Sequence, residues 1–129
     1  MSQPVRDYMT PVPVTIQQDE TLLRAHRLMD QHGVRHLPVL DGEALVGVVS
    51  DRDLHLLETL KEVSPETELV EEAMTSEPFS VPPDAPVAAV VAEMARHKYG
   101  SALVVEGSHV VGIFTTTDAL FLLARVLPT

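Results

Sequence analysis

The sequence predicts an α+β fold: two pseudo-symmetric βαββα repeats packed sheet to sheet into one compact module. Three observations lead there. The 129 residues align on themselves without a gap at a shift of 65, from Met9 to Thr59, and a period of that kind governs the whole architecture. Each copy sets short β-rich runs on either side of an apolar helical pattern. A copy of about 60 residues buries too little surface to stand alone, and its strands, apolar at nearly every position, need cover on both faces. The copies fall at residues 1–64 and 65–129 and together form one module.

The identities that carry the repeat are spread along the chain. Met9-Thr10 falls on Met74-Thr75, Pro13 on Pro78, Asp19 on Asp84, Met29 on Met94 and His32 on His97. Further on, Val39 falls on Val104, Gly42 on Gly107, Val46-Gly47 on Val111-Gly112 and Asp53 on Asp118. Apolar character persists between them, as in Ile16 over Val81 and Leu56 over Phe121.

Each element has its own reason. Val14-Thr15-Ile16 and Phe79-Ser80-Val81 read as brief strands closed by Gln17-Gln18-Asp19 and Pro82-Pro83-Asp84. Leu22, Ala25, His26 and Met29 recur at helical spacing, as do Val87, Val90, Val91 and Met94. Gly33 stops the first of these helices, whereas the second has Lys98 there. Runs at 37–40 and 44–49, and at 102–105 and 110–114, read as hairpins turned by Asp41-Gly42 and Glu106-Gly107. Helices starting near Asp51 and Thr116 complete the copies, and Val63-Ser64-Pro65 connects them. The last helix, at 118–124, is apolar on nearly every side, which predicts burial, part of it against a second subunit with Met29 or Met94.

Composition narrows the function. The chain is 45% apolar and 22% charged, as expected of a globular protein. No run is long enough to span a membrane, and the N-terminus lacks the apolar block of a secretory signal. Without cysteine, disulfides and thiolate chemistry are excluded. These features together predict a cytoplasmic protein. The net charge of −10 argues against nucleic acid and anionic membranes as partners. The acid crowds the middle, from Glu58 to Glu77 around a single Lys61, and reads as a solvated connector. The six histidines show no ligand spacing, because Gly33 interrupts the helix between His32 and His36, so no metal is expected. No nucleophile elbow or glycine-rich phosphate loop is present, and no catalytic residue is expected.

The order Met-Thr, Pro-Val, a helix carrying Met, then Val-Arg-His-Leu-Pro-Val-Leu-Asp-Gly and Gly-Val-Val-Ser-Asp-Arg-Asp-Leu resembles a CBS domain. The duplication resembles a tandem CBS pair, or Bateman module, over residues 5–58 and 70–124. The resemblance implies a regulatory module whose clefts bind adenosine-containing ligands, AMP, ADP or ATP foremost and S-adenosylmethionine or NAD as alternatives. It also implies a homodimer in which helices of two modules meet. With no effector domain in the chain, a separate partner protein is expected to be the one regulated. A dimeric interaction scaffold without nucleotide binding is the competing reading.

Site residues follow from chemistry and resemblance together. Ser50-x-x-Asp53 and Thr115-x-x-Asp118 each join a strand to a helix, the pattern of a capping box. A helix N-terminus also favours anions, and a carboxylate one turn in can accept from both hydroxyls of a ribose diol. By resemblance, Asp53 and Asp118 match ribose-binding aspartates, while Ser50 and Thr115 match the hydroxyls beside the phosphate. Arg35, His36 and Arg52 form a basic cluster suited to a phosphate; the matching residues Gly100, Ser101 and Thr117 are neutral, with Lys98 nearby. Two unequal sites are therefore expected. Candidate walls for the adenine are Val14, Thr15, Ile16, Leu37 and Pro38 in one copy, and Phe79, Ser80, Val81, Ala102 and Leu103 in the other. Tyr99 is a possible stacking residue, with partial burial as its alternative role.

Overall fold

Among the described residues, eight strands and four helices follow one another with two strands before each helix, and the strands form two separate four-stranded sheets. The computed structural model describes residues 3–129; the first two residues of the span assigned to the first repeat lie outside it. The chain divides into two compact units, residues 14–78 and residues 1–13 with 79–129. Sequence repeats and compact units are therefore not the same segments.

In the unit of residues 14–78, β2 (Ile16–Gln17) leads into α1 (Leu22–His32), then the hairpin of β3 (His36–Asp41) and β4 (Ala44–Ser50), then α2 (Asp51–Lys61). A 3-10 turn at Val70–Glu72 and the two-residue β5 (Thr75–Ser76) follow. The sheet order is β2-β3-β4-β5, with β2 parallel to β3 and the other pairs antiparallel. Ile16, Leu22, Ala25, Met29, Leu37, Val39, Val49, Leu54 and Val70 form its core. These are the periodic apolar positions of the helix and strands, with Val70 added from the connector.

The other unit repeats the plan. β6 (Ser80–Val81), α3 (Val87–His97), β7 (Ser101–Glu106), β8 (His109–Thr115) and α4 (Thr116–Val126) follow in order. Its fourth strand comes from the N-terminus: β1 (Thr10–Pro11) lies antiparallel on β8. Val5, on a 3-10 turn at Val5–Asp7, is fully buried in the core with Val87, Val90, Met94, Ala102, Val104 and Phe114. β3 and β7 shift register at matched points, Val39/Leu40 and Val104/Val105.

The two edge strands β1 and β5 have no counterpart in the strands expected from sequence. Each has two residues, too few for any period, and β1 includes Pro11, which an edge strand tolerates. Their positions explain a repeated identity. A Cβ on Gly112 would collide with the Met9 side chain, and one on Gly47 would lie 2.7 Å from both Met74 Sδ and the Thr75 carbonyl oxygen. Each Met-Thr segment is laid across a glycine.

The helix ends follow the expected punctuation. Thr21 caps α1 by accepting from Arg24 N at 3.2 Å, and Gly33 closes it at φ 65°. Lys98 closes α3 in the same left-handed conformation, φ 60°, which costs an L residue about 1–2 kcal/mol. Lys98→Gly is expected to raise stability by about 0.5–1 kcal/mol, the relief being partly offset by the greater freedom of glycine in the unfolded chain. Urea unfolding of the two proteins measures the difference.

The last helix is expected to be buried, part of it against a second subunit; within the single chain no residue of α4 is buried. Leu120, Phe121 and Val126 are each about two-thirds exposed, and only Ala119 and Leu122 pack on the core. A helix packed on a single sheet buries one stripe, and α4 carries more apolar residues than one stripe holds.

Candidate functional site

Both candidate carboxylates sit in capping boxes. In the unit of residues 14–78, Ser50 N donates to Asp53 Oδ2 at 2.9 Å and Asp53 N donates to Ser50 Oγ at 3.1 Å. The exchange fixes the Asp53 side chain at the start of α2. Its other oxygen, Oδ1, accepts no hydrogen bond from the described residues. Asp53 borders a depression of about 170 Å³ with Leu56, Leu57, Leu60 and Lys61 of α2 and with Glu72 and Ala73. Sequence reasoning missed Lys61 here, although 53, 56, 57, 60 and 61 trace one helical face. Glu72 and Ala73 carry no local signal, since only the fold of the connector brings them there.

Three more expected residues flank this helix start, Arg35 lining the groove beside Asp51 and not the depression at Asp53. His36 opens β3 directly opposite Ser50, and Arg35 O accepts from Asp51 N at 3.0 Å. Burial pushes the His36 pKa below its ordinary value, while the Asp51 and Asp53 carboxylates pull it back up. The folded chain thus binds fewer protons than the unfolded one as pH falls through about 6.5. The His36 contribution to stability is complete above that pH and is lost as pH drops towards the lowered native value. Denaturant midpoints at pH 7.5 and 5.5 are expected to differ less in His36→Gln than in the native chain. The Arg35 side chain is 81% exposed, with Nη1 4.0 Å from Asp51 Oδ2. Arg52 is exposed and makes no ion pair among the described residues.

The expected walls divide into core and surface. Ile16 lies beside Val39, Leu37 opposite Val49 and Pro38 opposite Val48. Ile16 and Leu37 belong to the core, while Val14 and Thr15 are half-buried. In the other unit, Ala102 and Leu103 are fully buried, Ser80 lies beside Leu103 and Val81 beside Val104. Tyr99 is 41% exposed and so partly buried, the alternative role expected of it. Its ring stacks between Phe79, centroids 5.2 Å apart, and His97, 5.1 Å apart.

The second helix start is built alike. Thr115 N donates to Asp118 Oδ2 at 2.8 Å, Thr115 Oγ1 does so at 3.1 Å, and Asp118 N donates back to Thr115 Oγ1 at 3.3 Å. Ser101 is buried opposite Thr115, and Thr117 is exposed. The positions that match the cations of the first site are neutral here, and Lys98 lines the adjoining groove with Gly100 and Thr116.

The repeat also matches two grooves of opposite chemistry. One, of about 410 Å³, includes His26, Asp30, Arg35, Asp51 and His55. The other, of about 420 Å³, includes Val91, Ala95, Gly100, Thr116 and Leu120, each 65 residues further on. Across the first groove His26 Nε2 lies 2.8 Å from Glu58 Oε2, and its ring is 5.5 Å from that of His55. Among the described residues, no three histidine or acidic side chains group to hold a metal ion. No helix among them is long and apolar enough to cross a membrane.

Two α/β units of one plan, each with a carboxylate locked one turn into a helix that follows a β-hairpin, define a tandem-repeat module. The CBS domain family matches residues 5–57 and 70–125, and the chain belongs to it. It is 32% identical over 109 residues to an inosine-5'-monophosphate dehydrogenase of Korarchaeum cryptofilum, covering 84% of this chain and 22% of that enzyme. The chain thus spans about a fifth of that relative. Among solved structures, AcuB of Vibrio cholerae is similar at TM-score 0.86 and 32% identity, over 98% of this chain and 93% of that one. The CBS domain pair of protein MJ0100, solved with 5'-methylthioadenosine and S-adenosyl-L-methionine, is similar at TM-score 0.88 and 25% identity, over 97% and 98%.

Proposed function

We propose that this CBS pair is a cytoplasmic sensor that binds an adenosine nucleotide, AMP, ADP or ATP, and modulates a separate partner protein. The observation that carries the reading is Asp53: its carboxylate is held by Ser50 through one oxygen and open at the other. A ribose diol can donate to that open oxygen, while Arg35 and Arg52 offer cations to the phosphates and the His36 ring, its pKa lowered by burial, stands beside them as a neutral polar group. Ser50 and Thr15 take the polar positions beside the phosphate and base. The second site, with Asp118, Thr115, Ser101, Thr117 and Ser80, keeps the sugar-binding group and lacks the cations. The pair from MJ0100, with its two adenosine-derived ligands, supports this ligand class and keeps S-adenosylmethionine as the alternative.

Thermal denaturation with AMP, ADP, ATP, NAD and S-adenosylmethionine tests the proposal. A ligand at a hundred times its Kd stabilises by about 2.7 kcal/mol. No shift with any of the five overturns nucleotide sensing. That outcome favours a scaffold, the second reading, which the exposed Leu56, Leu60, Leu120 and Phe121 support. The same apolar helix faces support a homodimer, since removing such a patch from water is the main drive for association. Sedimentation of the native chain reads that state directly.

A further inference from the structure

We propose that Thr10 is a gate on the second sugar-binding carboxylate, so that the two sites differ in access as well as in charge. The inference rests on the sugar-binding reading of Asp53 and Asp118. Thr10 Oγ1 donates to Asp118 Oδ1 at 3.4 Å, and Oδ2 is already taken by Thr115. Both oxygens of Asp118 are therefore engaged before any ligand arrives. In the other unit Thr75 holds the equivalent register, opposite Val48 as Thr10 is opposite Ile113. Among the described residues, however, it makes no hydrogen bond to Asp53. The same device stands closed on Asp118 and open on Asp53.

The gate is built to yield. A donor at 3.4 Å is well beyond the usual 2.7–2.8 Å of an O–H···O bond, so a sugar hydroxyl at normal distance outcompetes it. Thr10 belongs to a two-residue edge strand that is exposed at both positions. Val12, just beyond, holds φ 47° with its side chain 88% exposed, a strained conformation for a β-branched residue. Upstream, Met9 on Gly112 and the buried Val5 anchor the arm. The Thr10 hydroxyl can thus turn away while the rest of the segment stays docked.

Calorimetric titration of the Asp53→Ala chain with AMP isolates the second site. Adding Thr10→Val, which keeps the shape and removes the donor, is expected to tighten AMP binding about two- to tenfold, the worth of one displaced hydrogen bond. Thr10→Ser, which keeps the donor, is expected to match its parent. Unchanged or weaker binding with Thr10→Val overturns the gate, including the case in which neither protein of the Asp53→Ala pair binds AMP although the native chain does. If the native chain and its Thr10→Val variant both fail to bind, the nucleotide reading falls and the gate with it. Circular dichroism melts of each variant verify that the folded state is being titrated.

Discussion

Asp53→Ala is expected to weaken AMP binding at the first site by about a hundredfold or more. Two sugar hydroxyls donating to one carboxylate make charge-assisted hydrogen bonds, each worth about 1.5–3 kcal/mol, and alanine removes both. The same substitution removes the acceptor of Ser50 N, so part of its effect falls on the start of α2. Ser50 Oγ still caps the helix, which keeps the stability cost near 1 kcal/mol. Asp53→Asn separates the two roles. Its amide oxygen still accepts from Ser50 N, so stability is expected to stay close to native, while the lost charge leaves AMP binding weak. Calorimetric titration of both variants, with denaturant melts alongside, makes the comparison. An Asp53→Ala chain that binds AMP as the native chain does would remove the ribose assignment.

Gly47→Ala is expected to destabilise the chain by about 2–3 kcal/mol, at the upper end of overpacking costs. The added methyl would lie 2.7 Å from the Thr75 carbonyl oxygen, a backbone atom that cannot step aside without moving β5. That strand holds on by only two residue pairs, Gly47 with Ser76 and Val48 with Thr75, so the collision falls where the sheet has least to spare. Gly112→Ala is the internal control. The three atoms nearest its methyl would all belong to the Met9 side chain, and a methionine with three rotatable bonds can repack. A cost near 1 kcal/mol is expected there. Equal midpoints for the two variants in urea would contradict this account of the repeated Val-Gly pair.

The comparison of these glycines shows how far local pattern reaches. Gly33 was legible as a helix stop, and Ser50-x-x-Asp53 and Thr115-x-x-Asp118 as helix starts, because a cap is decided within four residues; the matching stop at Lys98 was not, since a lysine gives no sign of the left-handed conformation it adopts. The hairpins were legible from apolar runs around a turn. His36 could be grouped with Arg35 from sequence, but not its place opposite Ser50, because pairing register depends on both strands. Lys61 could have been joined to Asp53 by helical spacing; Glu72 and Ala73 could not, since the 3-10 turn that carries them has no period. The partner of Tyr99 was not legible, because stacking on Phe79 joins residues 20 apart.

The sequence by itself determined the two-copy plan, the four helices, the capped starts of α2 and α4, the paired hairpins and the residue types gathered at each helix start. Spacing and side-chain chemistry are local quantities, and repetition lets each copy check the other. Only the tertiary structure decided that the first Met-Thr segment completes the sheet of residues 79–129, and the second that of residues 14–78. A strand of two residues has no pattern of its own. Its place is set by distant backbone groups in need of partners and by a thioether that fits over a glycine.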